Sequence, residues 1–131
     1  IYAELLISGP GLQRLYEGIC ELQSTEVIKH DPGQISAAAL SGTNAQCVSA
    51  LEMFCALLGS CCGDFLLANG AYGGLYLAGG IIPNMLPFLS ASGFHKRLCE
   101  KGSMQSHLAK VPVYGITAAQ PGLIGASHAQ I

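Results

Sequence analysis

The chain has 131 residues, room for one domain or part of a larger one; half are apolar, 11% are charged, and the formal net charge is -2. That composition fills a hydrophobic core and excludes a disordered tail. Lys96-Arg97 is the densest pair of positive charges, which argues against a nucleic-acid surface.

The sequence enters IYAELLISGPG directly at Ile1, with no basic segment leading into an apolar stretch. It is expected to be a piece of a longer protein, without a visible secretory signal. Ser8-Gly9-Pro10-Gly11 predicts a helix start, with Ser8 as cap and Pro10 in the first turn, where its missing N–H costs nothing. Leu12, Leu15, Tyr16 and Ile19 recur at helical spacing. Ser24 to Gly33 carries most of the polarity and a DPG turn signal, so it reads as a surface connection that includes Asp31. Ile35 to Leu40 is a short helix.

The longest helix begins at Thr43 or Asn44 and runs to about Asn69, with Val48, Leu51, Phe54 or Cys55, and Leu58 on its buried face. An interior glycine costs a helix about 1 kcal/mol against alanine. Gly59 and Gly63 therefore predict close packing against another element, and Asn69-Gly70 a left-handed cap. Asp64 reads equally well as a partnered acid near a cleft and as a solvent-facing one.

Phe65 to Phe94 contains no charged residue and no histidine, and it is long enough to span a bilayer. Six glycines, with Pro83 and Pro87, break it too often for a membrane helix. It divides instead into a helix end, a strand at Gly74–Ala78 buried on both faces as in a parallel sheet, a Gly79-Gly80 turn, and a helix from Pro83 through Leu89. Phe94 to Lys101 is another helical piece. Val111 to Thr117 is a second strand, with Pro112 near its start or at an edge. Pro121 to Gln130 is the last helix. Helices alternating with isolated strands point to an α/β architecture.

The six cysteines form no CxxC, and no HxxxH accompanies them, so neither zinc spacing nor a disulfide framework is present. They are expected to be reduced thiols packed as small hydrophobes, with adjacent Cys61-Cys62 as an oxidation-sensitive pair the lesser alternative. His30, His95, His107 and His128 are scattered and read as surface residues.

Strand, double glycine, helix is a device for holding a ligand. Backbone without Cβ atoms can be approached closely, the helix N-terminus aims N–H groups and a positive dipole end at the same point, and ligands of α/β proteins sit beyond the carboxyl ends of parallel strands. The same residues also suit a plain tight turn. Neither GxxxxGK[ST] nor GxGxxG opening a helix after a strand is present.

Three stretches carry a family resemblance: YAELLISGPGLQRLY, then FCALLGSCCGDFLLANGAYGGLYLAGGIIPNMLPFLSASGFHKRLCEKG, then VPVYGITAAQPGLIGASHA. In this order they resemble the carboxyl-terminal part of bacterial-type glucokinases, members of the hexokinase, actin and Hsp70 superfamily. Gln23 to Ala45 matches least. The resemblance implies an α/β, RNase H-like (actin-like ATPase) fold fragment, with residues 1–131 a partial large-lobe region and the amino-terminal lobe absent. It implies that Glu4, in AExxxSGPG, binds glucose hydroxyls, a task suited to an acceptor-only carboxylate. It implies that Gly79 and Gly80 pass beneath the nucleotide, with Ile81, Asn84 and Met85 near the adenine, and that Pro121–Gly125 starts and packs a helix.

The implied cofactors are ATP and Mg2+, the small-molecule partners glucose and ATP, and the location the cytoplasm. Nucleic acid and membrane are not among the implied partners, and a homodimer is left open. The family's base, an aspartate in an Asn-Asp pair, and its EGGH segment do not occur in this sequence, so the chain alone is expected to be inactive. A hexose kinase of other specificity and a non-catalytic sugar- or nucleotide-binding regulator of the same fold remain open, as does a purely structural domain. Sequence upstream of Ile1 separates kinase from regulator, and nucleotide titration tests the structural reading.

Overall fold

In a computed structural model, residues 2–129 are described. A 3-10 turn at Ala3–Leu5 leads into α1, Gly9–Leu22. The Gly11 N–H donates to Ser8 Oγ at 3.1 Å, so the serine closes one of the helix's unpaired donors as its position predicts. Leu12, Tyr16 and Cys20 turn inward, with Leu15 and Ile19 packed at their margin.

The polar connection ends one helix start earlier than the turn signal suggests. Asp31 is the N-cap of α2, Pro32–Ser41. Asp31 Oδ1 accepts from the Gln34 N–H at 2.8 Å and Gln34 Oε1 accepts from the Asp31 N–H at 2.9 Å, a reciprocal capping box with proline in the first turn. The DPG signal thus starts a helix rather than making a free turn. Gln13 Nε2 donates to the His30 carbonyl at 2.7 Å, and the His30 ring meets Tyr16 edge-on, so His30 is half-buried, unlike the other three histidines.

Helix α3, Ala45–Asn69, starts at Asn44, whose Oδ1 accepts from the Cys47 N–H at 2.9 Å, and closes on left-handed Gly70. It is long and apolar enough to cross a membrane by length and composition, but it serves as the core helix, packing against α1 and α2 and against α5, Phe94–Cys99. Its interior glycines explain that last contact. A Cβ at Gly59 would collide with the Phe94 carbonyl oxygen, and one at Gly63 with that of Leu98. Asp64 points to solvent, 70% exposed, and pairs with Lys101 at 2.6 Å.

Strand β1, Leu75–Leu77, pairs in parallel with β2, Val113–Gly115, with Leu75 opposite Val113. The Leu75 N–H donates to the Pro112 carbonyl, so the proline stands at the strand start and supplies only its acceptor. The crossover that parallel strands require comprises α4, Ile82–Ala91, then α5, a 3-10 turn at Gly102–Met104 and α6, Gln105–Leu108. Phe65 to Phe94 is accordingly the end of α3, β1, the glycine loop and α4. Burial on both faces of β1 does not hold: Leu77 is buried, but Tyr76 is 66% exposed and stacks on Tyr114 of β2 at 5.1 Å. The last helix, α7, spans Pro121–Ser127; Leu123 and Ile124 are exposed, so PGLIG starts a helix but does not pack it, and Gln130 lies outside the described residues.

Cys20, Cys47, Cys55, Cys62 and Cys99 are buried, Cys61 is half-buried, and all six are free thiols. Burial pushes the Cys55 and Cys62 thiols up to about 11 and raises those of Cys47 and Cys99. These are packing thiols.

Candidate functional site

The site forms where β1 ends. Leu77 is the last strand residue, and Ala78, Gly79 and Gly80 are exposed before α4 begins at Ile82. Gly79 has φ 128°, a conformation that admits glycine almost alone. Gly80 has no positive φ. A Cβ on either would meet no atom within 4 Å. The backbone here is bare, and among the described residues no neighbour requires the second glycine.

Among the described residues, the amides of Gly79, Gly80 and Ile81 make no hydrogen bond within the chain, and α4 has no side-chain cap. Three free donors at the start of a ten-residue helix offer partners to anionic oxygens.

Three cavities meet at this loop. One, of about 310 Å³, lies between α2 and the start of α4 and is lined by Pro32, Ala37, Leu40, Gly80, Ile81 and Asn84, with Gly33 and Ser36. A second, of about 320 Å³, joins Ile7-Ser8-Gly9 at the entry of α1 to Ala78–Ile82. The third, also about 320 Å³, runs between Gly79, Gly80 and Pro83 and the segment Ile116–Pro121, whose Gln120 is left-handed at φ 53°. No charged side chain lines any of the three among the described residues.

Four of the residues singled out in the sequence therefore come together: Gly79, Gly80, Ile81 and Asn84. Met85 does not join them; it is fully buried in the core beside Leu89 and Ile82. Glu4 is exposed on the Ala3–Leu5 turn. Arg14 Nη1 donates to the Leu5 carbonyl at 3.0 Å, tying that turn to α1. The turn precedes the Ile7–Gly9 segment that shares the second cavity with the glycine loop. The sequence reading missed the α2 wall altogether. Pro32, Ala37 and Leu40 carry no chemical signature, and only the fold brings them opposite residues some forty positions later.

A parallel strand pair ending in a bare glycine loop and a helix N-terminus defines an α/β protein with an open crevice at its strand end, the place where ligands of such folds sit. The chain belongs to the glucokinase family, whose profile matches residues 1–131. A glucokinase of Chromobacterium violaceum is 47% identical over 126 residues, covering 95% of this chain and 36% of the relative. A glucokinase of Psychromonas ingrahamii is 44% identical, covering 96% of this chain and 39% of the relative. The crystal structure of a glucokinase from an Antarctic psychrotroph superposes with a TM-score of 0.85 at 40% identity, over 95% of this chain and 38% of that one. The chain thus spans less than two-fifths of the length of these relatives, and it is a fragment of the actin-like ATPase fold.

Proposed function

We propose that this chain is the carboxyl-terminal, large-lobe part of a cytoplasmic ATP-dependent glucokinase, with the amino-terminal lobe contributed by sequence outside residues 1–131. In this reading the γ-phosphoryl group of ATP passes to the 6-hydroxyl of glucose. The bond from the β,γ-bridging oxygen to phosphorus breaks, a bond from sugar O6 to phosphorus forms, and the hydroxyl proton goes to a base outside this chain. ADP and glucose 6-phosphate leave.

The observation that carries the reading is the bare Gly79-Gly80 backbone, with three unpaired amides and open space where side chains would stand. A glycine pair that only turned the chain would need its φ angles or its clearance from neighbours. Gly80 needs neither, so its lack of a side chain serves something outside the chain. A nucleotide fits: its phosphates are anions, and phosphoryl transfer depends mainly on positioning and charge neutralisation. Glu4 would accept hydrogen bonds from glucose hydroxyls on the far side of the Ile7–Gly9 segment.

The fit for magnesium is different. Among the described residues no group of three His, Cys, Asp or Glu side chains comes together, and the cavities at the loop carry no carboxylate. The described residues supply no ligand set for the metal.

The test is a coupled assay of the full-length protein with ATP, magnesium and glucose, together with separate titrations of each ligand. Saturable, glucose-dependent ADP formation is the expected result. A full-length protein that binds neither ligand would sink the proposal.

A further inference from the structure

We propose that Arg14 is a positioning residue for the sugar-binding carboxylate: from α1 it fixes the Ala3–Leu5 turn, and through that turn the place of Glu4. This rests on the glucose reading of Glu4 and adds to it the group that holds the carboxylate in place.

The turn has little of its own to hold it. None of its three residues is buried, and Tyr2, Ala3 and Glu4 are exposed. Its internal bonds are all local: the Leu5 N–H donates to the Tyr2 carbonyl, and those of Leu6 and Ile7 to that of Ala3. A single 3-10 turn kept by such bonds alone opens easily.

Two contacts seat it on α1, and both come from one face of that helix. Gly11 and Arg14 stand three positions apart, and so are neighbours on the helix surface. At Gly11 the chain comes close: a Cβ there would collide with the Leu6 backbone. At Arg14 the guanidinium Nη1 donates to the Leu5 carbonyl at 3.0 Å. Among the described residues no other hydrogen bond reaches that carbonyl. The bond is charge-assisted, which makes it the stronger kind, and it closes on the residue next to Glu4. Packing at Leu6 sets how near the turn lies to α1. The directional bond at Leu5 sets how the turn is rotated, and so where Glu4 points.

Arg14 does not neutralise the acid it positions. The ion pairs among the described residues are Arg97–Glu100 and Lys101–Asp64. No described cation therefore lies within pairing distance of Glu4, and both its oxygens stay open to hydroxyl donors. A sugar ligand needs that combination of an unpaired carboxylate on a held backbone, because binding energy is lost when the group must first be ordered.

The experiment compares wild type, Arg14→Met, Glu4→Gln and the double variant in the full-length protein. It measures KM for glucose at saturating ATP, KM for ATP at saturating glucose, and the melting temperature. Methionine keeps an unbranched side chain and loses the donors. Arg14 is exposed, so the melting temperature should hold. Arg14→Met should raise the glucose KM about three- to tenfold, the scale of one hydrogen bond, at unchanged KM for ATP. In the Glu4→Gln background the same substitution should add less than about twofold, since a group that acts through Glu4 then has little left to position. An unaltered glucose KM in Arg14→Met overturns the proposal. So does an undiminished effect in the Glu4→Gln background, or a rise in both KM values that tracks a fall in melting temperature, because Arg14 would then serve the fold. The two levels are distinguishable. If Glu4→Gln leaves the glucose KM unaltered, the sugar reading of Glu4 falls and this proposal with it; if Glu4→Gln raises it and Arg14→Met does not, only the positioning role falls.

Discussion

Gly80→Val in the full-length protein separates a turn from a ligand floor, and its neighbour supplies the control. A Cβ on Gly80 meets no atom within 4 Å, and its φ is not positive. The substitution adds three carbons in open space, so its effect on folding should stay within about 0.5 kcal/mol, as for surface changes generally. Against a nucleotide lying on that backbone, the same carbons occupy the ligand's contact surface. Overfilling a packed contact costs about 1–3 kcal/mol, or roughly five- to 150-fold in ATP affinity. Glucose, which the proposal places on the Glu4 side, should be little affected.

Gly79→Val behaves differently. At φ 128° a side chain is strained whatever space surrounds it, at a cost of about 1–3 kcal/mol to folding. Thermal unfolding of both variants comes first, then titration of ATP and glucose well below the transition. The expected pattern is an undisturbed melting temperature with lost ATP affinity for Gly80→Val, and a lowered melting temperature for Gly79→Val. Parallel losses of ATP and glucose binding in Gly80→Val that follow a drop in stability would refute the reasoning, because the glycine would then serve the fold.

Three further outcomes follow from the same structure. Glu4→Gln keeps the side chain's shape but turns one acceptor into a donor; with charged hydrogen bonds contributing about 1.5–3 kcal/mol, glucose affinity should fall about tenfold or more while ATP binding holds, and an unaltered glucose KM would remove Glu4 from the site. Gly59→Ala gains about 1 kcal/mol of helix propensity but drives a methyl into the Phe94 carbonyl, so chemical denaturation should show a net loss of about 1 kcal/mol or more, and a stabilised variant would show that α3 and α5 are not in close contact. Burial raises the Cys55 and Cys62 thiols from 9.0 to about 11 in the folded state, so the folded chain holds these protons more tightly; stability is full below about pH 9 and falls as the pH rises from 9 to 11, and a flat denaturation midpoint across that window would contradict the burial.

The helix boundaries were legible because their signals are local. Ser8 and Asn44 cap from the positions their sequence contexts assign, and Gly70 closes α3. The close approach of α3 to α5 was legible for a related reason: a glycine inside a helix carries a cost that some neighbour must offset, and Gly59 and Gly63 have one each. Asp31 was misread because DPG suits a turn and a capped helix start alike; the choice lies with Gln34, three residues on, whose side chain completes the box. Tyr76 was misread because an apolar run between glycines does not reveal whether one face of a sheet is covered. In a two-strand pair its ring stays exposed and stacks on Tyr114.

The candidate site divides along the same line. Gly79, Gly80, Ile81 and Asn84 are contiguous or one turn apart, so a local reading collects them. Met85 is adjacent in sequence but points the other way, because successive helix positions turn by about 100° and α4 must bury one side in the core. The α2 wall depends on packing alone. Proline, alanine and leucine at 32, 37 and 40 acquire meaning only when α3 holds α2 against the start of α4. Residues that do chemistry announce themselves by type. Residues that shape a cavity do so by position, and position is a property of the fold.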